Sequence, residues 1–161
     1  MVIQPMTEEI AKRIQTWQYE EPYSLYSLKG DPDVFSELMN GSYVFVEDND
    51  ALIGYFCFGS SAQVPAGHEV NAYSDPMLDL GLGLHPKHTG KGIGLRFVQA
   101  GLDYTYKTYG QKNVRLSVAS FNKRAKKVYE RAGFSYLRSF TKTNKKSSTT
   151  FEIMVKRYEV E

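Results

Sequence analysis

Residues 85–94 read HPKHTGKGIG, which sets Gly90, Gly92 and Gly94 at every second position with Lys91 between the first two. Glycines this dense strip side chains from a run of backbone and let N–H groups converge, often on an anion. A Walker loop needs four residues between its glycines, then Lys and Ser/Thr; here six residues separate Gly83 from Gly90, and Gly92 follows Lys91, which excludes it. A dinucleotide fingerprint needs G-x-G-x-x-G, and Gly90-x-Gly92-x-Gly94 is one residue too tight. Just upstream, Leu78, Leu80, Leu82 and Leu84 alternate with Asp79, Gly81 and Gly83. Asp79 is therefore a candidate general base on the glycine face, and a buried structural carboxylate is the alternative. Gly81 and Gly83 weaken a strand unless a bulge, a ligand or a closely packed neighbour needs the room. Further on, Asn122 stands where it can N-cap a helix, and Tyr129 follows Ala125 by four residues on the same face. Periodicity alone reads Tyr129 as a core tyrosine. His85 and His88 lack a further ligand nearby in sequence and are not read as a metal site.

The elements that must position these residues follow from local pattern. Residues 1–5 read as a short strand, and Thr7 caps a helix with Glu8 and Glu9 in its first turn. The aromatic stretch 22–39 is predicted helical in pieces. Residues 43–47 and 52–58 form a hairpin about a turn at Asp48–Asp50, and 78–84 is a strand. A helix starts in the glycine loop and runs to about Tyr109, turning Phe97, Val98, Gly101, Leu102 and Thr105 to the sheet. A strand at NVRLSVAS, a helix from Asn122 to Gly133 and a last antiparallel pair complete the chain. The expected class is α/β (α+β): a mixed central β-sheet of about seven strands flanked by about four helices, in one domain over residues 1–161.

Bulk properties narrow the partners. A net charge of +2 is too slight for a general nucleic-acid binder, and no aromatic nucleic-acid signature is present. The longest apolar run, ALIGYFCFG, is too short to span a bilayer, and the first residues lack the apolar stretch of a signal peptide. Cys57 is alone and alternates within a strand, so it reads as a buried structural thiol in a cytoplasmic protein.

The combination of strand, glycine loop, helix and later capped helix resembles the GNAT superfamily of acetyl-CoA-dependent N-acetyltransferases. Leu84-His85-Pro86 matches the family's apolar-x-Pro strand end, and Gly90-Lys91-Gly92-Ile93-Gly94 its loop, with Thr89 where the family has Gln or Arg. Asn122, Ala125, Tyr129, Gly133 and Phe134 match the element Asn-x-x-Ala-x-x-x-Tyr-x-x-x-Gly-Phe. The resemblance implies acetyl transfer from acetyl-CoA to a primary amine of a small molecule or peptide, by direct attack in a ternary complex. A catalytically inactive acyl-CoA-binding sensor or scaffold is the alternative. It implies that the pantetheine arm lies along Leu82, Gly83 and Leu84. The pyrophosphate would rest on Thr89, Gly90, Lys91, Gly92, Ile93, Gly94 and Leu95, with Asn122, Ala125 and Tyr129 also touching the coenzyme. It places the Tyr129 hydroxyl beside the sulfur, where a phenol of pKa ~10 can protonate the departing thiolate. The segment holding Trp17, Glu21, Tyr23 and Tyr26 is expected to wall the acceptor cleft, its rings and carboxylates favouring a cationic amine with an apolar body. On that reading Glu21 and Tyr23 govern the acceptor and leave acetyl-CoA binding alone. No metal, nucleic acid or membrane partner is expected, and the protein is read as a monomer or homodimer.

Overall fold

A computed structural model of the chain describes residues 1–158. Its strands are β1 (Val2–Pro5), β2 (Tyr43–Asp48), β3 (Ala51–Phe58), β4 (Leu78–Leu84), β5 (Val114–Ala119), β6 (Ser135–Thr143) and β7 (Ser148–Lys156). Four α-helices accompany them among the described residues: α1 (Glu8–Ile14), α2 (Val34–Leu38), α3 (Gly94–Tyr109) and α4 (Lys123–Arg131). The strands form one sheet in the order β1-β2-β3-β4-β5-β7-β6, antiparallel throughout except for the parallel β4–β5 neighbours. Element order and class agree with the sequence pattern.

Local chemistry explains the elements. Thr7 accepts the Ile10 N–H at 3.2 Å, while Glu8 and Glu9 sit at the positive end of α1, and Lys12 and Arg13 at its negative end. The β2–β3 turn places Asn49 and Asp50 at φ of 51° and 63°, the twist a two-residue hairpin needs and the residue types that tolerate it. Along α3, Phe97, Val98, Gly101, Leu102 and Thr105 are all buried, as a 3.6-residue period requires. Gly101 lets the helix lie low on the sheet, since a Cβ there would meet the Phe56 ring at 2.9 Å.

The core lies on both faces of the sheet. On one, Phe97 stacks on Phe56 at 4.6 Å between ring centroids, within a cluster that includes Leu80, Leu116, Tyr129 and Phe134. On the other, α1 and α2 bury Ile10, Ile14, Val34 and Leu38 against Phe45 and Leu52. Each such side chain contributes about 1.5–3 kcal/mol by leaving water. Cys57 is buried, which pushes its thiol pKa up to about 12 and keeps it an unreactive packing residue at neutral pH.

Candidate functional site

The sheet parts in its middle. β4 and β5 are registered only at Leu78↔Val114 and Asp79↔Arg115, although β4 runs on to Leu84 and β5 to Ala119. The β3–β4 ladder continues past β4, with the His85 N–H on Ile53 O at 2.7 Å. Successive residues of a strand turn their backbone groups to opposite edges, so Leu80, Leu82 and Leu84 present theirs to the gap. The gap widens into a cavity of about 400 Å³, whose walls include Leu80–Leu84, Leu116–Val118 and the start of α3.

The glycine loop closes one end of this cavity. Thr89 donates its hydroxyl to Pro86 O at 2.9 Å, a bond that tightens the turn and occupies the group. Gly90 and Gly92 have φ of 73° and 81°, and a Cβ on Gly92 would point into open space. Gly94 has a different reason to be small: its Cβ would touch Val128 at 3.4 Å, where α3 crosses α4. Ile93 caps α3 without a side-chain hydrogen bond, so the first N–H groups of a 16-residue helix carry no side-chain acceptor. Thr89, Gly90, Gly92, Gly94 and Leu95 line the cavity, whereas Lys91 is exposed and Ile93 packs toward the core. Uncapped helix donors beside bare glycines fit a pyrophosphate.

Opposite the loop, Asn122 does two jobs. Its Oδ1 accepts the Ala125 N–H at 3.2 Å and caps α4, while its Nδ2 donates to Tyr26 Oη at 3.4 Å. Tyr26 Oη also accepts the Ala119 N–H at 3.3 Å, so its own proton is left for the cavity. Tyr129 is 8% exposed, lines the same cavity and makes no side-chain hydrogen bond among the described residues. Burial, with a smaller push from Tyr26, raises its pKa above the ordinary phenol value, so it stays protonated at neutral pH. The periodic core position and a place on the cavity wall are thus both properties of this residue.

Two expectations need correction. Asp79 is no free base: Arg115 Nε donates to Oδ1 at 2.7 Å, and Arg115 Nη2 and Gln63 Nε2 each donate to Oδ2 at 2.8 Å. The carboxylate is 3% exposed and does not line the cavity. On the acceptor side, Trp17 is 5% exposed in the α1–α2 core, edge-on to His85 at 4.8 Å, and outside the cavity. Glu21 is exposed, accepts the Ser24 hydroxyl and also lies off the cavity wall. Tyr23 and Tyr26 do line it.

Two further tyrosines line the cavity: Tyr19 belongs to the aromatic run read as the acceptor wall, and only Tyr55 escaped the sequence reading. Tyr19 donates its hydroxyl to Leu84 O at 2.6 Å, on the open edge of β4. Tyr55, registered opposite Gly83, has its ring where a Gly83 Cβ would lie, at 2.3 Å. Gly81 is explained the same way, by Cys57 Sγ at 2.4 Å. The room these glycines provide is filled by side chains of β3, neither by a helix nor by a ligand. The absent side chain at Gly83 was the one available signal for a large neighbour, but it does not say which.

The Acetyltransferase (GNAT) family model matches residues 10–134, and the chain belongs to that family. Solved structures similar to it include a spermidine N-acetyltransferase SpeG chimera from Vibrio cholerae and hSSAT, 18% identical, with a TM-score of 0.69 and 97% of this chain and 95% of that one covered. A GNAT-family acetyltransferase from Bacillus anthracis is 15% identical, with a TM-score of 0.67 and coverage of 95% and 92%. The protein smu.2055 from Streptococcus mutans UA159 is 20% identical, with a TM-score of 0.60 and coverage of 96% and 98%. At these identities the likeness is one of fold. No curated protein matches the chain by sequence. Among the described residues no helix is long and apolar enough to cross a membrane.

Proposed function

We propose that the protein transfers an acetyl group from acetyl-CoA to a primary amine by direct attack within a ternary complex. The observation that carries this reading is one cavity that joins the open edge of β4, the uncapped start of α3 and Tyr129. When bound, acetyl-CoA supplies the activated acetyl thioester. Leu82 and Leu84 offer backbone groups that hold an amide-bearing arm in register, as a neighbouring strand would. An N–H on that edge also stabilises negative charge developing on the thioester oxygen. Tyr129 holds the proton that the departing thiolate takes. With Asp79 fully engaged, and with no Asp or Glu among the residues lining the cavity, proton removal from the acceptor runs through water.

The acceptor end is walled by Tyr19, Tyr23, Tyr26 and Tyr55. Aromatic faces without carboxylates suit an amine with an apolar or aromatic body and a single positive charge. They leave a second ammonium of a polyamine without an anionic partner. The test follows free-thiol release from acetyl-CoA across a panel of amines: arylalkylamines are turned over, and spermidine is a poorer substrate. With an acceptor whose chemistry limits the rate, Tyr129→Phe lowers kcat about 10²-fold with little change in acetyl-CoA affinity. No thiol release with any amine in the panel would overturn the activity. Unchanged turnover by the variant would return Tyr129 to packing alone.

A further inference from the structure

Thr89 stands where the family pattern has a long polar or cationic side chain, and its hydroxyl is already bonded within the loop to Pro86 O. A cation reaches the same place from elsewhere. Arg124, in the first turn of α4, lies so close to the loop that a Cβ on Gly90 would be 2.9 Å from its Nη1. The guanidinium also lies over the Tyr23 ring, with Cζ 4.6 Å from the ring centroid. Among the described residues Arg124 forms no ion pair with a carboxylate. Gly90, Arg124 and Tyr23 all line the one cavity.

We infer that Arg124 supplies from α4 the cation that the loop itself lacks, clamping the coenzyme pyrophosphate against Gly90 and Gly92 with Tyr23 as its backing plate. The inference rests on the proposed use of acetyl-CoA. A guanidinium matches phosphate oxygens with two parallel N–H donors, and an aromatic ring behind it fixes its plane and limits its loss of freedom on binding. Gly90 is needed at this point for a second reason besides its positive φ: any side chain there would displace the guanidinium. The arrangement also joins the two substrate ends, because Tyr23 belongs to the acceptor wall. Coenzyme binding that fixes Arg124 fixes Tyr23, so acceptor affinity rises when the coenzyme is present and, by reciprocity, the reverse. Tyr23 therefore serves both substrates, which replaces the sequence expectation that it governs the acceptor alone.

Calorimetric titration of CoA and of 3′-dephospho-CoA into wild type, Arg124→Met, Tyr23→Leu and the double variant Arg124→Met/Thr89→Arg tests this. Arg124→Met weakens both ligands about 10-fold, because both carry the pyrophosphate, and its log Kd rises less steeply with log salt. Tyr23→Leu weakens both about 3-fold and adds little to Arg124→Met, as expected for residues acting as a unit. Thr89→Arg in the Arg124→Met protein recovers most of the loss, a rescue that a misfolded variant does not give. Equal CoA affinity of wild type and Arg124→Met overturns the clamp while leaving the proposed function standing. A loss confined to CoA, sparing 3′-dephospho-CoA, overturns it by moving the guanidinium to the 3′-phosphate. Wild type that binds no CoA fells the proposed function and the clamp together.

Discussion

Asp79→Asn is expected to destabilise the protein by about 3–5 kcal/mol while turnover of the folded variant stays within a few-fold of wild type. The substitution removes the charge from a carboxylate that is 3% exposed and leaves Arg115, 2% exposed, with a buried positive charge and a weakened partner. Arg115 has no ready substitute: its Nη1 is spent on Asp75 O at 2.9 Å, the Asp75 carboxylate is paired with Arg138, and the Tyr73 ring lies at 5.2 Å. A denaturant melt measures the stability loss, and activity is taken at a temperature well below the new midpoint. A general base behaves in the opposite way, with stability nearly kept, kcat lost and the acid limb of the pH–rate profile displaced. That outcome would restore Asp79 to the chemistry.

Gly92→Asp should weaken acetyl-CoA by about 10³-fold or more, with the fold intact, because two costs to binding fall on one residue. The backbone at φ 81° strains any side chain by about 1–3 kcal/mol in the free and bound protein alike, a cost to stability and not to affinity. The new carboxylate points into space that is open in the free protein, so it meets no neighbour there and does not block folding. On the proposed reading the same space takes the doubly charged pyrophosphate, and the aspartate would also compete for the α3 donors that the phosphate needs. Gly92→Ala separates these effects, since it keeps the strain and omits the charge; it should lose far less affinity. Wild-type affinity for Gly92→Asp, measured by calorimetry, would remove the loop from coenzyme binding.

What the sequence made legible was local. The buried face of α3, the Thr7 and Asn122 caps and the hairpin turn depend on residues a few positions apart, and each stands where its spacing put it. What it hid depends on which strand lies beside which. Asp79 looked available because Arg115, its partner across the β4–β5 pair, is 36 residues away. Gly83 left a bulge, a ligand and a close neighbour all open, because nothing local shows that Tyr55 faces it. Trp17, Glu21, Tyr23 and Tyr26 were a single aromatic and acidic run in sequence. The chain turns so that the indole enters one core, the carboxylate faces solvent, and Tyr23 and Tyr26 reach the cavity together with Tyr19 of the same run. Arg124 sits in the charged run NKRAKKVYER, and nothing in a helical period tells that one arginine of such a run lies beside a distant glycine.

The parting of β4 from β5 also bears on how the molecule holds together. Strands β1–β4 and β5–β7 are two plates that share two backbone pairs, and the Asp79–Arg115 pair is the rung at which they separate. Beyond that rung, backbone groups that elsewhere bind a neighbouring strand have none, apart from substitutes such as the Tyr19 hydroxyl on Leu84 O and the Tyr26 hydroxyl on Ala119 N. A ligand that fills the wedge takes the place of the missing rungs and ties one plate to the other. Occupying the site is then the final stage of sheet assembly, and affinity for the ligand and resistance to unfolding become two readings of one free energy.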